Sequence, residues 1–118
     1  MEQKGQHGSL TEILGRVNYY ESAVKNPTKD PREARDSLYE ELDRVGAFVT
    51  EGVTDRDFDR LNLEIGNLSG TEKQRATSII GDLREQANTG EIGERDAIAL
   101  ITEPNSKQTV IIKVPSRR

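Results

Sequence analysis

The sequence predicts a mainly α fold: a small antiparallel bundle of about four helices with a C-terminal β-hairpin, α+β at the margin. Three observations carry this. Four stretches repeat apolar residues at helical spacing, each opened by a Ser, Thr or Asp suited to an N-cap. The connections between them are short, which favours antiparallel neighbours. After residue 96 the texture changes to β-branched runs around a Pro104, Asn105, Ser106 turn cluster.

The elements follow in order. Residues 1–8 are polar and aperiodic and read as a disordered lead-in. Ser9 with Glu12 has capping-box spacing, and Leu10, Ile13, Leu14, Val17, Tyr20 and Val24 then form one stripe to about Lys25. Asp30, Pro31 and Glu33 supply a cap acceptor, a proline at the first helical position and a first-turn acid. The stripe they open is Ala34, Leu38, Leu42, Val45 and Val49, with Gly52 as its stop.

Thr54 and Asp57 open a third helix on Phe58, Leu61, Ile65 and Leu68, which Gly70 ends. Thr71 with Gln74 starts a fourth on Ala76, Ile79, Ile80, Leu83 and Ala87, stopping near Asn88 to Gly90. The hairpin pairs residues 97–102 with 109–114, a short helix from Glu94 being the competing reading of 97–102. Residues 9–114 are thus read as a single helical domain, and 115–118 as a basic tail. Gly15, Gly46, Gly66 and Gly81 fall off their helices' apolar stripes, as unoptimised surface or as places where a partner backbone comes close.

Composition narrows the function classes. Leu, Ile, Val and Phe make up 27 of 118 residues, about 23%, so the core is small and aliphatic. There is no Cys, which removes disulfides, thiolate metal sites and thiol nucleophiles and fits a cytoplasmic protein. No apolar run approaches the ~18 residues of a membrane span. The net charge of −4 hides an asymmetry: residues 30–96 carry 9 basic and 17 acidic groups, residues 97–118 carry 4 and 1.

Chemistry finds little to work with. His7 is the single histidine and sits in the lead-in, so neither a Ser-His-Asp triad nor a histidine metal cluster can be assembled in one chain. Asp55, Asp57 and Asp59 match the opening of a calcium-binding EF-hand loop, but Arg60 stands where that loop needs Gly and Gly66 where it needs Glu. First-turn acids facing the helix dipole explain them better. Gly90 and Gly93 lack a phosphate-binding lysine. No catalytic residue, cofactor, metal or small-molecule substrate is expected.

The expectation is therefore a non-enzymatic interaction, assembly or adaptor protein that docks on a protein partner or on itself. Its candidate contacts are Tyr19 and Tyr39, which project away from their stripes, Phe48, off the stripe of the second helix, and Ile101 and Ile111 on the hairpin. Strict alternation would put Ile98, Leu100, Val110 and Ile112 on one hairpin face and Ala99, Ile101, Ile111 and Lys113 on the other. The alternative is a winged-helix DNA-binding regulator. In it helix 71–88 reads DNA with Lys73, Arg75 and Arg84, and the hairpin and tail hold phosphates with Lys107, Lys113, Arg117 and Arg118. Glu72, Asp82 and Glu85 offset that helix's charge, and 54–68 is long for a positioning helix.

Overall fold

Seven elements follow one another as α1 (Gln3–Lys25), α2 (Pro31–Arg44), β1 (Phe48–Val49), α3 (Asp55–Ile65), α4 (Gly70–Asn88), β2 (Asp96–Thr102) and β3 (Thr109–Pro115). A computed structural model describes residues 3–68, 70–102 and 109–117, with side chains from residue 11 onward. The Pro104, Asn105, Ser106 turn, Lys107 and Arg118 lie outside the described residues. The fold is mainly α, with four helices and a C-terminal antiparallel hairpin, and residues 96–102 are strand. The chain divides into two compact units, Met1–Ala47 and Phe48–Arg118, which the single-domain reading of 9–114 does not include. Apolar stripes say which side of a helix is buried, not against which neighbour.

The first unit is the α1–α2 pair. α1 begins at Gln3, so the expected lead-in is helical from there and Ser9 lies inside the helix rather than capping it. Gln and Lys are good helix formers, and extending an existing helix costs far less than nucleating one. Asp30 caps α2 as expected, accepting from the Arg32 N–H at 3.0 Å, with Pro31 at the first position. Ile13 and Ala23 of α1 and Ala34, Leu38, Tyr39 and Leu42 of α2 are buried.

α2 stops at Arg44, short of the expected Val49, because Gly46 adopts φ +72°. The Gly46 N–H donates to the Asp43 carbonyl at 3.1 Å and the Ala47 N–H to that of Leu42 at 3.0 Å, closing the helix as a Schellman motif. Gly90, at φ +84°, ends α4 the same way: its N–H reaches Ala87 O at 3.2 Å and that of Glu91 reaches Gln86 O at 2.8 Å. The stop at Gly46 frees Phe48 and Val49 to form β1, a strand the sequence did not announce.

The second unit packs α3 and α4 on one face of a three-stranded antiparallel sheet of order β1-β2-β3. Its core is Phe58, Leu61 and Ile65 of α3, Ala76 and Ile80 of α4, and Ile98 and Leu100 of β2, with Phe48, Val53, Leu68, Leu83, Ala87 and Ile111 packed against it. Thr54 and Asp57 form the predicted capping box at α3. The tail is tied in too. β3 runs through Pro115, the Ser116 N–H donates to Arg95 O at 2.7 Å, and its hydroxyl donates to Glu51 O at 2.9 Å.

The hairpin register corrects the expected faces. Ile98 stands opposite Lys113, Leu100 opposite Ile111 and Ile101 opposite Val110. Directly opposed side chains share a face, so Ile111 and Lys113 lie with Ile98 and Leu100, while Val110, Ile112 and Val114 lie with Ala97, Ala99 and Ile101. One residue of register moves a whole strand's side chains across the sheet, and composition cannot choose between the two.

Candidate functional site

The predicted contact residues divide between the two units, Tyr19 and Tyr39 in the first and Phe48, Ile101 and Ile111 in the second. Tyr39 is only 5% exposed and Ile101 2%, so both belong to the interior. Phe48 and Ile111 are half-buried and packed on the core of the second unit. Tyr19 alone of the five is exposed, at 46%, with the Lys29 ammonium 4.9 Å from its ring centroid.

Other residues take their place. Among the described residues four large apolar side chains are exposed, and three are on α1: Leu14 at 43%, Tyr19 at 46% and Val24 at 53%; the fourth is Leu63 of α3. Leu14 and Val24, expected in the buried stripe, lie outside the part that α2 covers. For Leu14 the signal was in the sequence: at about 100° per residue it stands at one edge of a stripe that spans about 120° of α1 to Tyr20, wider than one neighbouring helix shields, whereas Val24 falls mid-stripe in the last turn before Lys25. Val17 lies between them, half-buried. Gly15 lies about 100° beyond the Leu14 edge of this arc, and a side chain there would meet nothing within 4 Å among the described residues. Among the described residues no packing requires that glycine.

Arg16 of α1 bonds to α2. Arg16 donates through Nη1 to the Ser37 carbonyl at 2.9 Å and to its hydroxyl at 2.6 Å, and through Nη2 to Glu12 at 2.8 Å. The buried Glu41 carboxylate lies 4.0 Å from the same guanidinium and is bonded by Arg44, whose Nε is 3.1 Å away. The Arg44 hydrogen bond holds the Glu41 carboxyl below its ordinary range against the opposing pull of burial.

Two of the candidate DNA-facing cations are engaged within the second unit. Arg75 pairs with Glu72 at 3.1 Å and donates to the Thr109 carbonyl at 2.8 Å. Arg84 pairs with Asp55 at 3.1 Å, its guanidinium 5.6 Å from the Phe58 ring centroid. Lys73, Lys113 and Arg117 are exposed. Thr109 N–H and Arg75 both donate to Glu72 and hold its carboxyl low, the Thr109 bond first. Burial raises Asp57, but bonds from the Thr54 backbone and hydroxyl and from the Glu51 and Gly52 backbone outweigh it, so its carboxyl also stays low.

Depressed carboxyls make stability pH-dependent in one direction. Their contribution is complete above the unfolded values of about 4 and is lost as pH falls through the lower folded values. The urea midpoint is expected to hold from about pH 7 to 5 and to drop between about pH 4 and 2. A flat profile through that range contradicts the assignment of Glu41, Asp57 and Glu72.

Among the described residues no group of three or more His, Cys, Asp or Glu is placed to hold a metal ion. No described helix is long and apolar enough to cross a membrane. Comparison with protein-family models, with curated proteins and with solved structures gives no match.

Proposed function

We propose that this chain is a non-enzymatic docking protein of the cytoplasm, acting in assembly or as an adaptor, which uses the outer face of α1 to bind a protein partner or a second copy of itself. The observation that supports this reading is the concentration of exposed large apolar side chains on one helix, in a chain where 32% of residues are charged. α1 has 23 residues and α2 has 14, so α2 cannot cover α1 along its length. Leu14, Val17 and Val24 offer an apolar line to another helix.

Sedimentation velocity across a concentration series tests it. The wild type is expected to gain mass with concentration, or to retain a partner on a column, and Leu14→Asp/Val24→Asp to lose that association with its helix content intact. A wild type that stays monomeric at high micromolar concentration and retains nothing the variant loses overturns the reading.

A DNA-binding regulator is the second reading, favoured by one observation. α3 has eleven residues, shorter than the span 54–68 suggested, and packs with α4 ahead of the β2–β3 hairpin. Duplex binding at about 150 mM salt that falls steeply with added salt, and is lost in Lys73→Glu/Lys113→Glu, puts this reading first.

A further inference from the structure

β3 is the outer strand of its sheet, and its main chain can be followed group by group. Ile98 turns toward the β1 side: its N–H donates to the Thr50 hydroxyl and its carbonyl accepts from the Thr50 N–H, both at 3.0 Å. In an antiparallel sheet the N–H and C=O of a residue point the same way and alternate along the strand. Ile98 and Leu100 therefore face β1, whose Phe48 pairs with Leu100, while Ala97, Ala99 and Ile101 face β3. By register, Val110, Ile112 and Val114 bond back to β2, and Thr109, Ile111 and Lys113 point outward.

At Thr109 both outward groups are taken by α4. The N–H donates to Glu72 Oε1 at 2.9 Å, and the carbonyl accepts from Arg75 Nη2 at 2.8 Å. A carboxylate acceptor and a guanidinium donor, themselves paired at 3.1 Å, stand where a neighbouring strand would present a carbonyl and an N–H. No hydrogen bond from another described residue meets the outward groups of Ile111 or Lys113.

We infer that Glu72 and Arg75 form a side-chain cap that keeps β3 from pairing edge to edge with β3 of a second copy of this chain. Exposed edges of β-branched residues invite such pairing, and cover at the edge is how folded proteins prevent it. A second copy fits this edge. Antiparallel β3–β3 pairing centred on Ile111 sets Ile111 against itself and Thr109 against Lys113 at both ends, so the two lysines do not meet. Two of those three bonded pairs need the main chain of Thr109, which the cap occupies. β3 belongs to the second unit and α1 to the first, and the inference does not rest on the docking reading.

Amide exchange on the wild type is the first measurement. Thr109 is expected to be protected along with Val110 and Ile112, while Ile111 and Lys113 exchange fast. Protection of Ile111 and Lys113 equal to that of their neighbours in dilute wild type overturns the inference. The second measurement removes the cap. Glu72→Ala/Arg75→Ala is expected to self-associate roughly tenfold more tightly than wild type, with Ile111 and Lys113 becoming protected as concentration rises.

Adding Lys113→Pro, which deletes an outward N–H without touching the β2 ladder, returns association to the wild-type level. Association through α1 responds to none of these three changes. An uncapped chain of native helix content with unchanged association, or one whose gain survives Lys113→Pro, overturns the inference. Should the uncapped pair fail to fold, Arg75→Ala alone, expected to show a smaller gain with the same reversal, decides by the same criteria.

Discussion

Phe58→Ala is expected to destabilise the Phe48–Arg118 unit by about 3 to 5 kcal/mol. Phe58 is 1% exposed, at the centre of a core of seven buried residues from α3, α4 and β2. It is one of only two phenylalanines in the chain, and there is no tryptophan to share its load. Truncation removes its transfer free energy and leaves a cavity that short aliphatic neighbours can fill only in part. The Arg84 guanidinium above the ring loses its support as well. Against a typical domain stability of about 5 to 15 kcal/mol, a loss of this size takes much of the margin. Urea unfolding followed by far-ultraviolet circular dichroism measures it. A shift below about 1 kcal/mol would place Phe58 outside the core.

The second large effect belongs to Ile111→Asp, on the order of 3 kcal/mol. The alternation expected from sequence puts Ile111 on a hairpin face away from the helices, where a charge would disturb association and spare the fold. The register puts it opposite Leu100, on the side packed against α3 and α4. An aspartate there must carry its charge among apolar groups or rotate out and leave a void, and the helices lose stability in either case. Tyr19→Asp, at an exposed position, is the control and is expected to stay within about 0.5 kcal/mol of wild type. If Ile111→Asp melts like wild type, β3 sits one residue out of the register described here.

The candidate surface was legible only in part. Tyr19 is exposed as its place on the helical wheel implied. Tyr39, argued in the same way, is buried, so angular distance from the stripe of α2 does not by itself put a side chain in water. Leu14 and Val24 fall in the stripe expected to be core, but periodicity reports neither how wide a strip the neighbour covers nor how far along the helix it reaches. Arg75 read as a DNA contact on charge alone; its partners lie 3 residues away at Glu72 and 34 away at Thr109, and only the first separation is visible in a helical pattern.

The sequence by itself determined what is built from neighbours within about four residues: the Asp30–Pro31 start of α2, the Thr54–Asp57 capping box, the end of α4 at Gly90 and the β-branched character of the last two strands. Each rests on hydrogen bonds or torsional preferences that a local stretch of chain satisfies alone. The stop at Gly46 is local in the same way, whereas the tertiary structure decided the existence of β1, the parity of the hairpin and which apolar side chains of α1 remain in water. β1 forms beside Thr50, whose bonds to Ile98 join residues 48 positions apart, and the faces of β3 follow from a pairing that one residue of slip would reverse. Such choices depend on which distant groups find each other. A helical or alternating pattern is equally consistent with either outcome until the partner strand or helix is in place.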